Sequence, residues 1–191
     1  MLCLHHLRCI THITILALLV QVSRAADTWM TALDTYFQIA CPTGQTIKHL
    51  ESVHDNTHED RVWNISCARL PNWVDLTECE WSGYQNNYDE TVIFQCPDDD
   101  VITGIESIHD NSKEDRMWSF QCCNPQDYVT HSCLYTPFMN TYDNLLNYRV
   151  PVDYVLRGVE SINDESHRDR IFKFEICKLA PADSNTHGIV G

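Results

Sequence analysis

A segment of twenty residues, 104–123, brings several chemically reactive side chains close together in the sequence GIESIHDNSKEDRMWSFQCC. It contains the carboxylate of Glu106, the imidazole of His109, the guanidinium of Arg116 and two adjacent cysteines. Carboxylates and imidazoles perform general acid–base catalysis, and imidazoles and thiolates bind metal ions. The segment is therefore a candidate catalytic cluster, a candidate metal loop or a structural motif.

Two further segments share this pattern, which identifies it as an internal repeat. They are LESVHDNTHEDRVWNISC, ending at Cys67, and VESINDESHRDRIFKFEIC, ending at Cys177. The equivalent residues, at a period of 55 and then 54 positions, are Glu51, Arg61 and Trp63; Glu106, Arg116 and Trp118; and Glu160, Arg170 and Phe172. Three catalytic copies in one chain would be unusual, so the shared residues are predicted to be structural.

Each repeat alternates apolar and polar residues in the manner of β-strands. In the second repeat VITGIESIH and RMWSFQC form a predicted hairpin, and shorter runs such as TVIFQC precede it. About four short strands per repeat are expected, without helices. Closure of three four-stranded units around a pseudo-threefold axis would protect the sheet edges. The predicted fold is all-β, disulfide-stabilised and β-prism-like, with a β-trefoil-like body as the alternative.

The arginine of each repeat lies on the same strand face as the aromatic residues, which is the predicted core face. A buried arginine needs a partner, because an unpaired buried charge is costly. The glutamate ten residues upstream is the predicted partner, in an ion pair across the hairpin. The predicted pairs are Glu51 with Arg61, Glu106 with Arg116 and Glu160 with Arg170.

The amino-terminal residues 1–25 have the pattern of a secretory signal peptide, with an apolar run from Ile10 to Val22 and small residues at Ser23 and Ala25. The apolar run is too short to span a bilayer, and no later segment is long enough. A secreted protein of the extracellular space or matrix is expected. The predicted parts are a signal peptide at 1–25, one domain at 26–180 with repeats at about 26–78, 79–132 and 133–180, and a flexible tail at 181–191.

The chain is acidic, with 27 Asp and Glu against 13 Lys and Arg and a formal net charge of −14. It has no cluster of basic residues, so it is a poor candidate for binding nucleic acid or heparin by bulk electrostatic attraction. No nucleic-acid partner, membrane span, catalytic residue or cofactor is predicted.

Removal of the signal peptide leaves eight of the ten cysteines, which in an oxidising compartment predicts four disulfides. The third repeat has Val150 and Ile176 where the other two repeats have cysteines. Because both cysteines are replaced together, the two cysteines at these positions in each of the other repeats are predicted to form a disulfide. The remaining cysteines form two pairs with an equal spacing of 44 residues. The predicted disulfides are Cys41 with Cys67, Cys96 with Cys122, Cys79 with Cys123, and Cys133 with Cys177.

Several motifs resemble those of the dermatopontin family: three D-R-x-[WF] units, C-P-x-G at Cys41, E-C-x-W from Glu78 to Trp81, and W-x-F-x-C-C from Trp118 to Cys123. The similarity extends from about Trp29 to Lys178. It implies a small, secreted, non-enzymatic protein of the extracellular matrix or body fluids. Members of this family bind proteoglycans, collagen and growth factors, and invertebrate relatives include lectin-like proteins that aggregate cells.

Recognition is expected in the hairpin turns HDNTHED, HDNSKED and NDESHRD and in nearby aromatic residues, because Asp, Asn, His and aromatic rings hydrogen-bond and stack on sugars. Repetition around a threefold axis would strengthen individually weak contacts by avidity. The predicted ligands are extracellular glycans, proteoglycans, matrix proteins or cell surfaces. The predicted ligand-binding residues are His54, Asp55, Asn56, His109, Asp110, Asn111, Asn163, Asp164, Trp81 and Tyr84.

Several alternatives remain open at this stage. Calcium could be held by Asp55, Glu59 and Asp60, and zinc by His54 and His58, although no metal is the favoured prediction. The acidic run 98–100 permits a secreted hydrolase, and a soluble defence lectin that agglutinates cells is a further candidate. Asn64, Ile65 and Ser66 form an N-glycosylation sequon on a predicted strand.

Overall fold

The structure is a computed structural model that describes residues 28–182. The predicted signal peptide at 1–25 lies outside the described residues, as does all but the beginning of the predicted tail at 181–191.

The described chain is built from β-strands and one short 3-10 turn at Pro71–Trp73, as the alternating pattern predicts. The strands are β1 (Phe37–Ala40), β2 (Gln45–Asp55), β3 (Asp60–Arg69), β4 (Leu76–Trp81), β5 (Val92–Gln95), β6 (Val101–Asp110), β7 (Asp115–Pro125), β8 (Tyr128–Tyr135), β9 (Leu146–Arg149), β10 (Tyr154–Asp164) and β11 (Asp169–Pro181).

The strands form three antiparallel sheets, each centred on the long hairpin of one repeat and extended by a short strand from the preceding repeat. Strand β1 of the first repeat pairs with β6, β5 of the second pairs with β10, and β9 of the third pairs with β2. This exchange is cyclic, so each repeat completes the sheet of the next. The sheet orders are β1-β6-β7-β4, β5-β10-β11-β8 and β3-β2-β9.

We number the sheets by the repeat that supplies the hairpin. The second sheet (β1-β6-β7-β4) and the third sheet (β5-β10-β11-β8) have the four predicted strands, but the first sheet (β3-β2-β9) has three strands among the described residues. The fourth strands elsewhere are β4 and β8. The residues of the first repeat that correspond to β4 precede residue 28 and lie outside the described part of the chain.

Two glycines allow the exchanged strands to approach closely. A Cβ atom on Gly104 would lie 3.0 Å from the carbonyl oxygen of Ile39 on β1, and one on Gly158 would lie 2.9 Å from that of Phe94 on β5. Both distances are shorter than ordinary van der Waals contact, so larger residues would push the incoming strand away. Each glycine directly follows a shift in the register of its hairpin.

The inward faces of the sheets meet in one hydrophobic core. At its centre Trp63, Trp118 and Phe172, one from each repeat, pack edge to face with ring centroids 5.3 to 5.6 Å apart. Such edge-to-face pairs contribute about 0.5 to 1.5 kcal/mol each beyond the area they bury. The repeated aromatic position therefore joins all three repeats at one point.

Beside this aromatic cluster, six buried charges form a closed ring of ion pairs, which we call the Asp–Arg ring. Each arginine donates two short hydrogen bonds, of 2.6 to 2.7 Å, to the aspartate of the preceding repeat. The pairs are Asp60 with Arg116, Asp115 with Arg170, and Asp169 with Arg61, and all six residues are at most 4% exposed.

The predicted pairing of each arginine with the glutamate of its own hairpin is therefore wrong, because of the hairpin register. Arg116 lies opposite His109, whereas Glu106 lies opposite Ser119 on the other face of the sheet. The three glutamates point outward instead. Glu106 accepts a hydrogen bond from Tyr36, Glu160 pairs with Lys173 at 2.7 Å, and Glu51 accepts a bond from Asn147.

Four disulfides are present, and their pairing is the one that the repeat comparison predicts: Cys41–Cys67, Cys79–Cys123, Cys96–Cys122 and Cys133–Cys177. The first and third of these tie the segment after an exchanged strand to the hairpin of its own repeat. In the third repeat Val150 and Ile176 are both buried in the main core at the equivalent positions. An apolar contact thus replaces a covalent bond there.

Substitution Asp115→Asn should destabilise the protein strongly, by about 3 to 5 kcal/mol, because it leaves the Arg170 guanidinium buried without its carboxylate. Chemical denaturation followed by tryptophan fluorescence measures this loss. The matched control is Glu106→Gln, which removes an exposed carboxylate and should cost about 1 kcal/mol or less. Equal losses in the two variants would contradict the Asp–Arg ring.

Replacement of Cys41 by Val together with Cys67 by Ile should give a folded protein, because the third repeat uses this pair of residues at the same positions. The loss of a cross-link over 26 residues should cost about 3.5 kcal/mol on the chain-entropy model. Thermal unfolding and circular dichroism check both parts. An unfolded double variant would mean that the first repeat cannot use the apolar contact.

Candidate functional site

The three hairpin turns surround the Asp–Arg ring at one end of the molecule. We call this surface the tip face and define it as residues 55–59, 110–114 and 164–168. Glu59, Glu114 and Arg168, one from each turn, line a pocket of about 260 Å³, including its open mouth, above the central aromatic cluster. The ring is therefore the base that holds the three turns beside one another.

The first aspartate of each turn shapes the turn itself. Asp55 accepts hydrogen bonds from the backbone N–H groups of Thr57 and His58, and Asp110 accepts from the N–H and hydroxyl of Ser112. In the third turn Asp164 accepts hydrogen bonds from the backbone N–H groups of Ser166 and His167. These donors to Asp110, led by the Ser112 hydroxyl, lower the pKa of its carboxyl below 3.8. One carboxylate oxygen of each aspartate thus serves the turn, as in an Asx-turn.

Two histidines that the sequence analysis placed among the recognition residues are buried. His54 and His109 are the next-to-last residues of β2 and β6, and their side chains are each 1% exposed. His109 Nδ1 lies 3.1 Å from Asn111 Oδ1, whereas neither ring nitrogen of His54 has a hydrogen-bond partner. The alternation of the strand explains the error, since these positions face the Asp–Arg ring. Their third-repeat equivalent, Asn163, is partly buried.

Asn56 and Asn111 are exposed at the predicted positions on the tip face. Tyr142 adds an aromatic ring that the sequence analysis missed: it stacks on His167 with centroids 4.8 Å apart and planes 11° from parallel. Tyr88 is its equivalent 54 residues earlier, and burial, followed by the negative charge of Asp110, raises the Tyr88 pKa. The repeat period was the signal that could have identified Tyr142.

Trp81 and Tyr84 lie apart from the tip face, on the outer side of the second sheet. Trp81 ends β4 and packs over Gly104, and Tyr84 is exposed. Beside them the Tyr36 hydroxyl donates a hydrogen bond of 2.9 Å to Glu106. The structure therefore divides the predicted ligand-binding residues between two surfaces.

Asp60 and His58, one from each of the two predicted metal sites, make other contacts. Asp60, the predicted third calcium ligand, binds Arg116 with both carboxylate oxygens. In the predicted zinc pair, the His58 imidazole lies 3.0 Å from the Asp55 carboxylate, whereas His54 faces the ring.

The acidic run 98–100 fastens loops. Asp99 accepts hydrogen bonds of 2.7 Å from the backbone and hydroxyl of Thr130, and Asp100 accepts one from Asn124. Asn64 lies half-buried on β3, where its side-chain oxygen accepts a hydrogen bond from the backbone of Met30. Glycosylation of Asn64 stays a prediction.

This geometry defines a class: an all-β protein of three interlocked repeats, tied by four disulfides, with a recurring polar surface at one end. The family model for dermatopontin matches residues 31–181, and the chain belongs to the dermatopontin family. This is a non-enzymatic family of extracellular matrix proteins, and the disulfides are consistent with secretion.

The relatives include an aggregation factor, a cytotoxin of Millepora dichotoma and several dermatopontins. The chain is 36% identical over 156 residues to the hemagglutinin/amebocyte aggregation factor of Limulus polyphemus, covering 81% of this chain and 89% of that protein. It is 35% identical over 142 residues to dermatopontin of Biomphalaria glabrata, covering 74% and 94% of the two chains. Human dermatopontin is 29% identical over 163 residues, covering 82% and 80%.

No solved structure matches the chain. Within residues 28–182 no helix is long and apolar enough to cross a membrane.

Substitution Ser112→Ala should raise the pKa of Asp110 toward 3.8, because the Ser112 hydroxyl is the main group that stabilises the Asp110 carboxylate. A pH titration of the carboxyl carbon by NMR measures the change. Ser166→Ala should raise the pKa of Asp164 in the same way, while leaving Asp110 unchanged. An Asp110 pKa that does not respond to Ser112→Ala would mean that the turn is held differently.

Proposed function

We propose that the protein is a secreted, non-enzymatic adhesion protein of the extracellular matrix that binds matrix glycans or matrix proteins through the tip face. The observation that carries this proposal is that the three hairpin turns lie together at one end of the molecule, around the Asp–Arg ring. A ligand surface with repeated groups could then contact several turns of one molecule at once.

The residue types of the tip face suit weak polar recognition. Asn56, Asn111 and Glu165, at equivalent positions of the three turns, offer exposed hydrogen-bonding groups, and the stacked pair of Tyr142 and His167 offers a flat ring surface. Each turn alone is small, so its affinity should be low. Simultaneous binding by linked sites raises the overall affinity by about 100-fold or more without new contacts.

The second candidate function is that of a soluble lectin that agglutinates cells, and the Limulus relative favours it because that protein is named a hemagglutinin and aggregation factor. Agglutination requires at least two binding surfaces that point in different directions. The tip face is a single binding surface that points in one direction. Agglutination would therefore need either self-association of the protein or the second surface around Trp81 and Tyr84.

The contacts of the acidic run weigh against the remote alternative of a secreted hydrolase. Its candidate carboxylates at 98–100 include two that are engaged in loop contacts. We also infer a β-prism-like body. The hydrogen-bonded strands fall into three separate sheets, whereas a β-trefoil would join strands of all repeats in one barrel.

The experiment compares single-turn and three-turn variants for binding to immobilised matrix glycans and matrix proteins. Asn56→Ala, Asn111→Ala and Glu165→Ala should each weaken binding a few-fold, and the triple variant should weaken it by about 100-fold, because avidity is lost. Surface plasmon resonance at low and high ligand density measures both effects.

Gln126→Ala is the matched control, because Gln126 is an exposed turn residue at the opposite end of β7. It should bind as the unaltered protein does. Undiminished binding by the triple variant would contradict the tip face as the binding surface. In that case Tyr84→Ala tests the outer side of the second sheet, and a haemagglutination assay separates the lectin from the adhesion protein.

A further inference from the structure

One buried imidazole in the structure has an unusual environment. The whole residue His54, including its backbone, is 8% exposed. Neither of its ring nitrogens makes a hydrogen bond with the described residues. Its Nε2 atom nevertheless lies 3.4 Å from Oε2 of Glu59 and 3.8 Å from Oδ1 of Asp143. The Nε2 atom of His54 thus faces one carboxylate from the first repeat and one from the third.

We propose that His54, Glu59 and Asp143 form a zinc site that links the first repeat to the third. In a tetrahedral site with bond lengths near 2.0 to 2.2 Å, ligand atoms lie about 3.4 Å apart, close to the observed separations. Water would complete the coordination, since Glu59 and Asp143 are partly exposed. An imidazole nitrogen among the ligands favours Zn²⁺ over Ca²⁺, which prefers oxygen ligands alone.

The Asp–Arg ring orients the imidazole for this role. Asp169 Oδ1 lies 3.3 Å from Nδ1 of His54, and Arg61 holds the same carboxylate by two short bonds. A carboxylate that faces one ring nitrogen directs the lone pair of the other nitrogen toward the metal, as in many zinc sites. Asp169 is therefore a positioning residue, and it does not have to leave Arg61.

The repeats supply an internal comparison. In the third repeat the positions of His54 and Glu59 are occupied by Asn163 and Arg168, which cannot bind zinc in this way. In the second repeat they are His109 and Glu114. His109 lies near Asp34 and Asp60 in a similar cluster, but its Nδ1 is 3.1 Å from Asn111 Oδ1, and Arg116 binds both oxygens of Asp60. Glu114 lies 3.9 Å from Arg168. One zinc ion per chain is therefore expected.

The site differs from the metal sites considered from sequence, because Asp143 comes from the loop before β9 of another repeat. Glu59 belongs to the tip face, but the site uses none of the residues proposed above to contact the matrix ligand. It would brace the first and third repeats at the junction where the ring closes. Bound zinc should therefore raise the melting temperature, because it binds the folded state.

The test is titration of the tag-free protein with zinc chloride, followed by calorimetry and thermal unfolding. The expected result is saturable binding of one ion and a rise in melting temperature, with no rise on addition of calcium. His54→Asn and Glu59→Gln should each weaken binding by about 10-fold or more. The Asn in the first variant is native at this position in the third repeat, and Glu59→Gln changes a partly exposed side chain, so both should fold.

The controls are His109→Asn, at the same buried position of the second repeat, and His58→Ala, an exposed histidine beside the site. Both should bind zinc as the unaltered protein does. The proposal is overturned if the protein shows no saturable binding, if His54→Asn or Glu59→Gln binds equally well, or if His58→Ala abolishes binding.

Discussion

The Asp–Arg ring is the constraint on which the rest of the structure depends. Each buried aspartate belongs to one repeat and its arginine to the next, and the third aspartate returns to the first repeat. A single repeat would bury two charges that have no partner, at a cost of several kcal/mol for each ion. The ring is therefore satisfied only when all three repeats are present and arranged in cyclic order. The exchange of β1, β5 and β9 runs in the same direction, so backbone pairing and charge pairing require the same arrangement.

Burial of six charges is not by itself a source of stability, because desolvation offsets much of the Coulomb attraction. Its clearest physical effect here is on geometry. For Asp169, burial raises the carboxyl pKa, but the nearby His54 and Arg61 outweigh this and lower the pKa to about 2. Each ring aspartate also accepts a hydrogen bond from a backbone N–H group in the loop before an exchanged strand. For Asp169 this donor is the N–H group of Asp143. The ring thus positions the loops as well as the hairpins, while the aromatic cluster beneath it supplies apolar burial.

The sequence predicted those features that depend on local pattern or on comparison between repeats. Strand alternation gave the hairpins and the core face, and the joint replacement of cysteines by Val150 and Ile176 gave the disulfide pairing. Interactions between repeats were not predictable in this way. The spacing of the repeats in the sequence is the same whether Arg116 binds a residue of its own repeat or of the preceding one. The hairpin register decides the matter, since it places Glu106 on the face opposite Arg116. The same register buries His54 and His109, which a polar turn sequence alone would leave exposed.

The three repeats agree where the ring needs them and differ where it does not. Asp and Arg recur at the ring in every repeat, because replacement of one would leave its partner unpaired. The neighbouring tip positions have no such requirement. His54, His109 and Asn163 differ, as do Glu59, Glu114 and Arg168. The third turn therefore carries a positive charge where the other two carry a negative one. The three turns are therefore related but different surfaces, arranged around one common ring.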